Sequence, residues 1–180
     1  MTEPVEVRSR IIGQEDESRE DGLVTSSVHH DRVHEGRTFF ISHYFGEIAN
    51  SGTISMLMRT GSEFVYAIGT VNCGGNALVY LYEDAVPSDN GTQGTPLNMN
   101  RNSSNAAETE CYVSPTVPGG SEGLQLLVDL LPGGEGPLAG GGTYRPDTEW
   151  VLKPASVYYI LATNISGNTQ PMHAGVQFSE

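Results

Sequence analysis

The chain has 180 residues, of which 37% are hydrophobic, and a formal net charge of −13. This length and apolar content suffice for one sizeable core but not for two ordinary domains, and no run approaches the ~18 consecutive apolar residues of a membrane span. The acidic excess opposes binding to nucleic acid and to anionic lipid, because clustered lysine and arginine bind such surfaces.

Residues 1–28 are predicted to form an extended N-terminal arm, and residues 29–180 a β domain. The arm is highly charged, with Glu15-Asp16-Glu17 and Glu20-Asp21 among few apolar positions, a composition that cannot form a core alone. A solvated, disordered tail is one interpretation of this segment. The other is docking by strand addition on a neighbouring surface, for which the arm has four apolar candidates: Val5, Val7, Ile11 and Ile12.

The most metal-like group in the sequence opens the β domain and consists of His29, His30 and His34, followed by Glu35. Neutral imidazoles a few residues apart can share a cation. A cupin metal site, however, needs a His-x-His pair, a nearby glutamate on a strand and a later histidine, and the His-x-His pair is missing here. We therefore predict no metal and no cofactor at this cluster. The three histidines are interpreted as interfacial or surface residues at the entry to the first strand.

From about Thr38 the chain has short apolar and aromatic runs separated by Gly, Asn, Pro and Ser clusters, with no sustained helical periodicity. This pattern predicts an all-β fold built as an antiparallel β-sandwich. Gly74-Gly75-Asn76 is predicted to join two strands as a tight hairpin, because glycine adopts positive φ without steric cost. The predicted strands are Thr38–Phe45, Thr53–Thr60, Phe64–Asn72, Ala77–Glu83, Glu110–Val117, Leu124–Leu131, Trp150–Leu152, Val157–Asn164 and His173–Phe178.

The predicted strands differ in how many of their faces are apolar. In the last run, Ala174, Val176 and Phe178 face one way and polar or small residues face the other, as in a half-buried strand. By contrast, Phe64–Val71 and Val157–Ala162 are apolar on both faces, so a long loop, the arm or another subunit must cover the outer face. Such strands in an acidic protein favour a homo-oligomer.

Two long loops, at about Ala85–Glu108 and Pro132–Asp147, are expected to carry function or to cross between sheets. A jelly roll accommodates such crossings better than a simple meander does. Within the first loop, Asn and Ser side chains of Asn98–Asn105 are expected to satisfy local backbone groups.

Motifs for catalysis are weak throughout the sequence. The glycine-rich stretch Pro132–Gly142 is not followed by Gly-Lys-Ser/Thr, so it lacks the phosphate-binding signature. Neither a nucleophile elbow nor a recognisable triad framework is visible. We therefore expect that the protein is not an enzyme.

The stretch His29-His-Asp-Arg-Val-His-Glu-Gly-Arg-Thr-Phe-Phe-Ile41 resembles the opening of small virion proteins found beside major capsid genes in tailed phages. Five further segments follow in the order seen in those proteins. The resemblance spans about residues 29–178. The five segments are Leu81-Tyr-Glu83, Asn100–Ser103, Gly140–Gly142, Trp150–Lys153 and Tyr158–Asn164.

This resemblance implies a head decoration, or cement, protein of β-sandwich or jelly-roll type. Such proteins are commonly trimeric and lie on the exterior of the phage head, near local three-fold axes of the shell. The implied partners are the major capsid protein and two further copies of this chain. The implied place of synthesis is the cytoplasm of the bacterial host.

Two alternatives belong to other functional classes. A lectin-like or receptor-binding β-sandwich of a virion would also be acidic and non-catalytic, and would place Tyr144, Trp150 or the Asn98–Asn105 loop in a glycan-binding groove. A cupin-like metalloenzyme would use the His29–His34 cluster. Glycan binding by the free protein and metal analysis, respectively, discriminate these alternatives from a decoration protein.

Overall fold

The computed structural model of the chain describes residues 28–133, 142–144 and 149–180. These residues form one short helix, twelve strands and their connections. Among them, no helix has the length and apolar character that crossing a membrane requires. The elements are α1 (Val28–His34), β1 (Thr38–Ile48), β2 (Thr53–Arg59), β3 (Val65–Cys73), β4 (Ala77–Glu83), β5 (Thr92–Gly94), β6 (Leu97–Asn98), β7 (Glu110–Val113), β8 (Leu124–Leu131), β9 (Gly142–Tyr144), β10 (Trp150–Leu152), β11 (Val157–Asn164) and β12 (Gln170–Ser179).

The strands form two antiparallel sheets that pack face to face, so the predicted all-β sandwich is confirmed. Sheet A has the order β10-β3-β12-β1-β6, with β9 also paired to β3, and sheet B has the order β5-β7-β2-β11-β4-β8. Strands from the first half of the domain pair in reverse order with strands from the second half: β1 with β12, β2 with β11, β3 with β10, and β4 with β8. Successive strands β1 to β4 therefore alternate between the two sheets.

The core lies between the sheets and takes its side chains from alternate positions of each strand. Phe178 stacks on Phe39 of the adjacent strand, with ring centroids 5.6 Å apart. Ala174 and Val176 of β12 are buried beside them, whereas Gln177 on the opposite face is half-buried. The alternation predicted for the last strand is therefore confirmed, and the strand is longer than predicted at both ends.

The connection Gly74-Gly75-Asn76 does not form the predicted hairpin. It links β3 of sheet A to β4 of sheet B, two strands that do not pair with each other, so the chain crosses between the sheets here. Neither Gly74 nor Gly75 has a positive φ. A Cβ at Gly74 would lie 2.5 Å from the Gln170 side chain, and one at Gly75 would lie 2.6 Å from that of Ser166. Close packing of neighbouring segments, and not turn geometry, requires glycine at both positions.

Both predicted long loops cross between the sheets. The first contains β5, which joins sheet B, and β6, which joins sheet A, before the chain returns to β7 in sheet B. The second leads from β8 in sheet B to β9 in sheet A. These short strands have only two or three residues, too few to show an alternation in sequence.

The outer face of sheet B is covered in part by loops. A second apolar cluster there contains the buried residues Leu57 and Tyr159 on neighbouring strands, together with Ala85 from the loop after β4 and Val117 from the loop after β7. A long loop, the arm and another subunit are the predicted covers of β11. At Tyr159 the cover is formed by loop residues.

Candidate interaction surfaces

Helix α1 lies against the outer face of sheet A. The guanidinium carbon of Arg32 is 3.7 Å from the centroid of the Tyr66 ring, and an Arg32 nitrogen is 3.6 Å from the Glu149 carboxylate. One turn earlier, Nε2 of His29 lies 3.0 Å from Nε2 of Gln177 on β12. The predicted interface histidines thus belong to a short helix that lies on the sheet, directly before β1.

The helix ends in a glycine motif. The backbone N–H of Gly36 donates to the Val33 carbonyl at 3.0 Å, and that of Arg37 donates to the Arg32 carbonyl at 2.9 Å. Gly36 has a φ of 69°, the left-handed conformation that glycine adopts at such a helix end. Gly36 therefore ends α1 and lets the chain turn into β1, which begins two residues later.

Asparagines of the loop after β6 hold this corner in place. The side-chain amides of Asn98 and Asn105 donate to the Gly36 carbonyl at 2.8 and 3.2 Å, and that of Asn100 donates to the His34 carbonyl at 2.9 Å. These bonds tie the loop to the end of α1. The predicted role of Asn98–Asn105 in satisfying local backbone groups is confirmed by other bonds: side-chain oxygens of Asn98, Asn100 and Ser103 each accept the backbone N–H two residues further on.

The three histidines do not converge on one point. His30 and His34 lie one helical turn apart with ring centroids 4.4 Å from each other, while His29 contacts Gln177. All three residues are exposed. In the part of the chain that the structure describes, no group of three or more His, Cys, Asp or Glu side chains is arranged to hold a metal ion.

Protein purified without added metal is expected to contain no stoichiometric zinc, iron or manganese, because two exposed imidazoles do not complete a ligand set. Elemental analysis of the purified chain measures this. Stoichiometric metal that disappears in a His30→Ala/His34→Ala variant, but persists in a His43→Ala control, would contradict the prediction.

The other predicted interface residues lie outside the described residues: Val5, Val7, Ile11 and Ile12. The structure therefore locates only the histidine part of the predicted interface.

A buried polar network joins the two sheets at the end of the sandwich where β4 finishes. The Glu83 carboxylate accepts hydrogen bonds from Nζ of Lys153 at 2.6 Å and from the Tyr158 hydroxyl at 2.8 Å. That hydroxyl in turn accepts the backbone N–H of Lys153 at 2.8 Å. Glu83 and Tyr158 are both buried, so their polar atoms depend on the network for partners, whereas the Lys153 side chain is 63% exposed.

Hydrogen bonding and burial shift the pKa values of all three side chains of this network. The hydrogen bond from Lys153, with that from Tyr158, lowers the pKa of Glu83, and the bond to Glu83 raises the pKa of Lys153. Burial raises the pKa of Tyr158 to about 12. At neutral pH the lysine stays protonated and the carboxylate ionised, so the pair forms a charge-assisted hydrogen bond.

The substitution Tyr158→Phe is expected to lower the free energy of unfolding by about 1–3 kcal/mol, because it leaves a Glu83 oxygen and the Lys153 N–H without a partner. Urea denaturation measures the loss. Tyr112→Phe is the matched control, since its hydroxyl bonds Glu110 at the surface. A change within about 0.5 kcal/mol is expected for the control, and equal losses in both variants would show that the network contributes nothing specific.

A small apolar cavity of about 40 Å³ lies between the sheets, bordered by β3 and β10 on one side and by β4, β8 and β11 on the other. Trp150 and Ile160 line it, with Val176 and Met58. Trp150 therefore points into the sandwich and does not form part of an outer groove.

Strand β8 carries the most exposed apolar side chains of sheet B. Val128 is 51% exposed and Leu130 is 54% exposed. On the same face, Val128 lies opposite Tyr80 of β4, which lies opposite Leu161 of β11. This row of apolar side chains crosses three strands, and the loops that cover Leu57 and Tyr159 do not bury its end on β8.

Neither protein-family models, curated proteins nor solved structures give a match to this chain. An antiparallel sandwich hosts binding and structural proteins as well as enzymes, so the fold by itself assigns no function.

Sequence patterns indicate some of these features and not others. In the run Leu124–Leu131 one set of alternate positions is entirely apolar, whereas the other alternates leucine with Gln125 and Asp129. The pattern could have indicated one apolar face, but not that this face is exposed. The network of Glu83, Lys153 and Tyr158 has no local signature, because 70 residues separate the acid from its lysine. Only the pairing of β4 with β11 brings these residues together.

Proposed function

We propose that this chain is a viral structural protein that decorates the exterior of a tailed-phage head and stabilises the shell by binding across neighbouring subunits of the major capsid protein. One observation carries the proposal: segments that give the sequence its resemblance to decoration proteins contact one another in the fold. Leu81-Tyr-Glu83, Trp150–Lys153 and Tyr158–Asn164 supply the three members of the buried network.

A second pair of these segments also meets. Asn100, in the Asn-Arg-Asn-Ser segment, donates to the backbone of His34, in the opening segment. These contacts join segments that are far apart in sequence, so the resembling positions belong to one tertiary framework. The resembling positions thus have structural roles, as expected for a family without a catalytic signature.

The strand pairing supports the jelly-roll form of the sandwich. A jelly roll is a long hairpin rolled so that its strands alternate between two sheets. The pairs β1–β12, β2–β11, β3–β10 and β4–β8 follow this arrangement, with β5, β6, β7 and β9 added beside them.

The mechanism follows from multivalent binding. A shell packed with DNA is under outward stress, and a protein that contacts two or three capsid subunits at once opposes their separation. Each contact can be weak, because the first contact raises the effective concentration for the next. A net charge of −13 suits a position outside the shell, away from packaged DNA.

The lectin-like alternative has less support in the described residues. The amides of Asn98 and Asn105 are used within the fold, and Trp150 lines the cavity between the sheets. Saturable glycan binding by the free protein would favour this alternative over capsid decoration.

The proposal is tested by expressing the tagged chain with the major capsid protein of its own phage and imaging the purified particles. Density for the chain on the outer surface, absent from particles made without it, is expected. Particles that lack the chain, or that carry it inside the shell, would overturn the proposal.

We expect the purified chain to be a homotrimer, because strands that are apolar on both faces retain exposed apolar side chains in the monomer. Light scattering at micromolar concentration measures the mass. A stable monomer in solution, combined with no trimeric density on the particle, would count against this prediction.

A further inference from the structure

Among the described residues, the outer edge of β8 has no strand partner. Its inner edge pairs with β4 from Leu124 to Leu131, and no described residue pairs with its other edge. An unpaired strand of this length presents a row of free backbone donors and acceptors to any extended segment. Leu124, at its start, is 62% exposed, and Val128 and Leu130 are more than half exposed, so the edge also presents apolar side chains.

Protection of this edge is slight. Asp129 is the one charged residue of β8, and its carboxylate accepts the backbone N–H of Leu130 at 2.8 Å. A bulge interrupts the register between Leu81 and Tyr82 of β4 and their partners on β8. Proteins commonly protect edges with charges, bulges, prolines or covering segments. Strand β8 has one charge and one bulge but no lysine or proline, and no described segment pairs with its outer edge.

The chain contains a segment that matches this edge in length and pattern. Residues 5–12 read Val-Glu-Val-Arg-Ser-Arg-Ile-Ile, and β8 also has eight residues. In an extended conformation Val5, Val7, Ser9 and Ile11 would share one face, and Glu6, Arg8, Arg10 and Ile12 would share the other. In a parallel register with Val7 beside Val128, Arg8 would lie beside Asp129 and Ser9 beside Leu130.

We propose that residues 5–12 of a neighbouring copy add to β8 as a further strand of sheet B. The inference rests on the proposed assembly into homo-oligomers and is independent of the capsid as a partner. The charges favour this occupant over a whole second sandwich, because net charges of −13 repel each other while Arg8 and Arg10 bring local positive charge to Asp129.

The chain before α1 is long enough to reach a neighbouring copy. Residues 13–27 could span up to about 50 Å when extended, which suffices to reach β8 of the same chain or of a neighbour. The choice of a neighbouring copy rests on the proposed assembly into homo-oligomers, and the disulfide experiment distinguishes it from docking within one chain.

Disulfide trapping tests the proposal in purified full-length protein, without capsids. A Val7→Cys/Val128→Cys variant is oxidised and separated on a denaturing gel without reductant. The native Cys73 and Cys111 are both buried and give the background. Covalently linked chains that separate on reduction are expected. A disulfide within one chain would overturn exchange, and no disulfide beyond that of a Val7→Cys/Val151→Cys control would overturn strand addition to β8.

A charge exchange supplies the second measurement. Asp129→Arg and Arg8→Glu/Arg10→Glu are each expected to raise the concentration at which the oligomer dissociates by about tenfold. Combining all three substitutions is expected to recover most of the loss, whereas Glu63→Arg, at an exposed turn, should have no effect. Additive losses in the combined variant would refute the pairing. Because neither assay contains capsid protein, failure here is distinct from failure to decorate particles.

Discussion

The substitution Phe178→Ala is expected to lower the free energy of unfolding by about 3–5 kcal/mol. Phe178 is 1% exposed and stacks on Phe39, and its strand β12 pairs with both β1 and β3 at the centre of sheet A. The truncation removes apolar contacts and leaves a cavity that residues of two paired strands cannot easily fill. A loss of this size is a large fraction of the stability of an ordinary domain.

Phe40→Ala is the matched control, since Phe40 is adjacent to Phe39 on β1 but is 40% exposed on the outer face of the sheet. A loss below about 1 kcal/mol is expected for it in the monomer. Urea denaturation of both variants at one protein concentration measures the difference, because oligomerisation makes stability depend on concentration. Equal losses would mean that the space between the sheets is not the main core.

The long strands could be predicted from sequence because their signal is local. Ala77–Glu83, Leu124–Leu131 and Val157–Asn164 have the predicted bounds, since apolar runs of strand length end at Gly, Ser, Asp or Pro. The sheet to which each strand belongs is not a local property. Gly74-Gly75-Asn76 has the composition of a hairpin turn, yet the chain crosses between sheets there, and Gln170 and Ser166 pack closely against the two glycines.

Helix α1 shows why the candidate site was harder to predict. Its seven residues, Val28–His34, contain no sustained apolar period, and so short a helix is not stable alone. Its end depends on Gly36 and on amides from Asn98 and Asn105, more than 60 residues away. The three histidines could be identified as exposed candidates, but the separation of His29 from the other two depends on the helix.

The contrast between local sequence signals and long-range contacts also applies to the outer faces of the sheets. Composition marks Val157–Ala162 as apolar on both faces but does not say what covers it. The structure places Ala85 and Val117 over Leu57 and Tyr159, while Val128 and Leu130 at the sheet edge stay exposed. Val128 and Leu130 therefore form an exposed apolar surface that another chain could cover.

Deletion of residues 1–28 is expected to leave the β domain folded and to weaken both trimerisation and decoration of expanded capsids. A segment this charged cannot bury enough apolar surface to fold alone, so the domain does not depend on it for a core. Ordering it costs about 1–2 kcal/mol per fixed residue in backbone entropy, which docking must offset through backbone hydrogen bonds and apolar burial. We therefore expect ordering only in the assembly, with Val5, Val7, Ile11 and Ile12 as anchors on a neighbouring subunit or on capsid protein.

Two further variants distinguish the effect of the apolar anchors from the effects of the length and charge of residues 1–28. Replacing the four anchors by serine keeps the chain length and charge and is expected to reproduce the effect of the deletion. Replacing Glu15, Asp16 and Glu17 by glutamine removes charge without removing apolar anchors and is expected to leave binding within about threefold of the parent, a change of less than 1 kcal/mol. Circular dichroism establishes that each domain is folded, and sedimentation with expanded capsids measures occupancy. Unchanged affinity and occupancy of the truncated protein would show that this segment has no part in assembly.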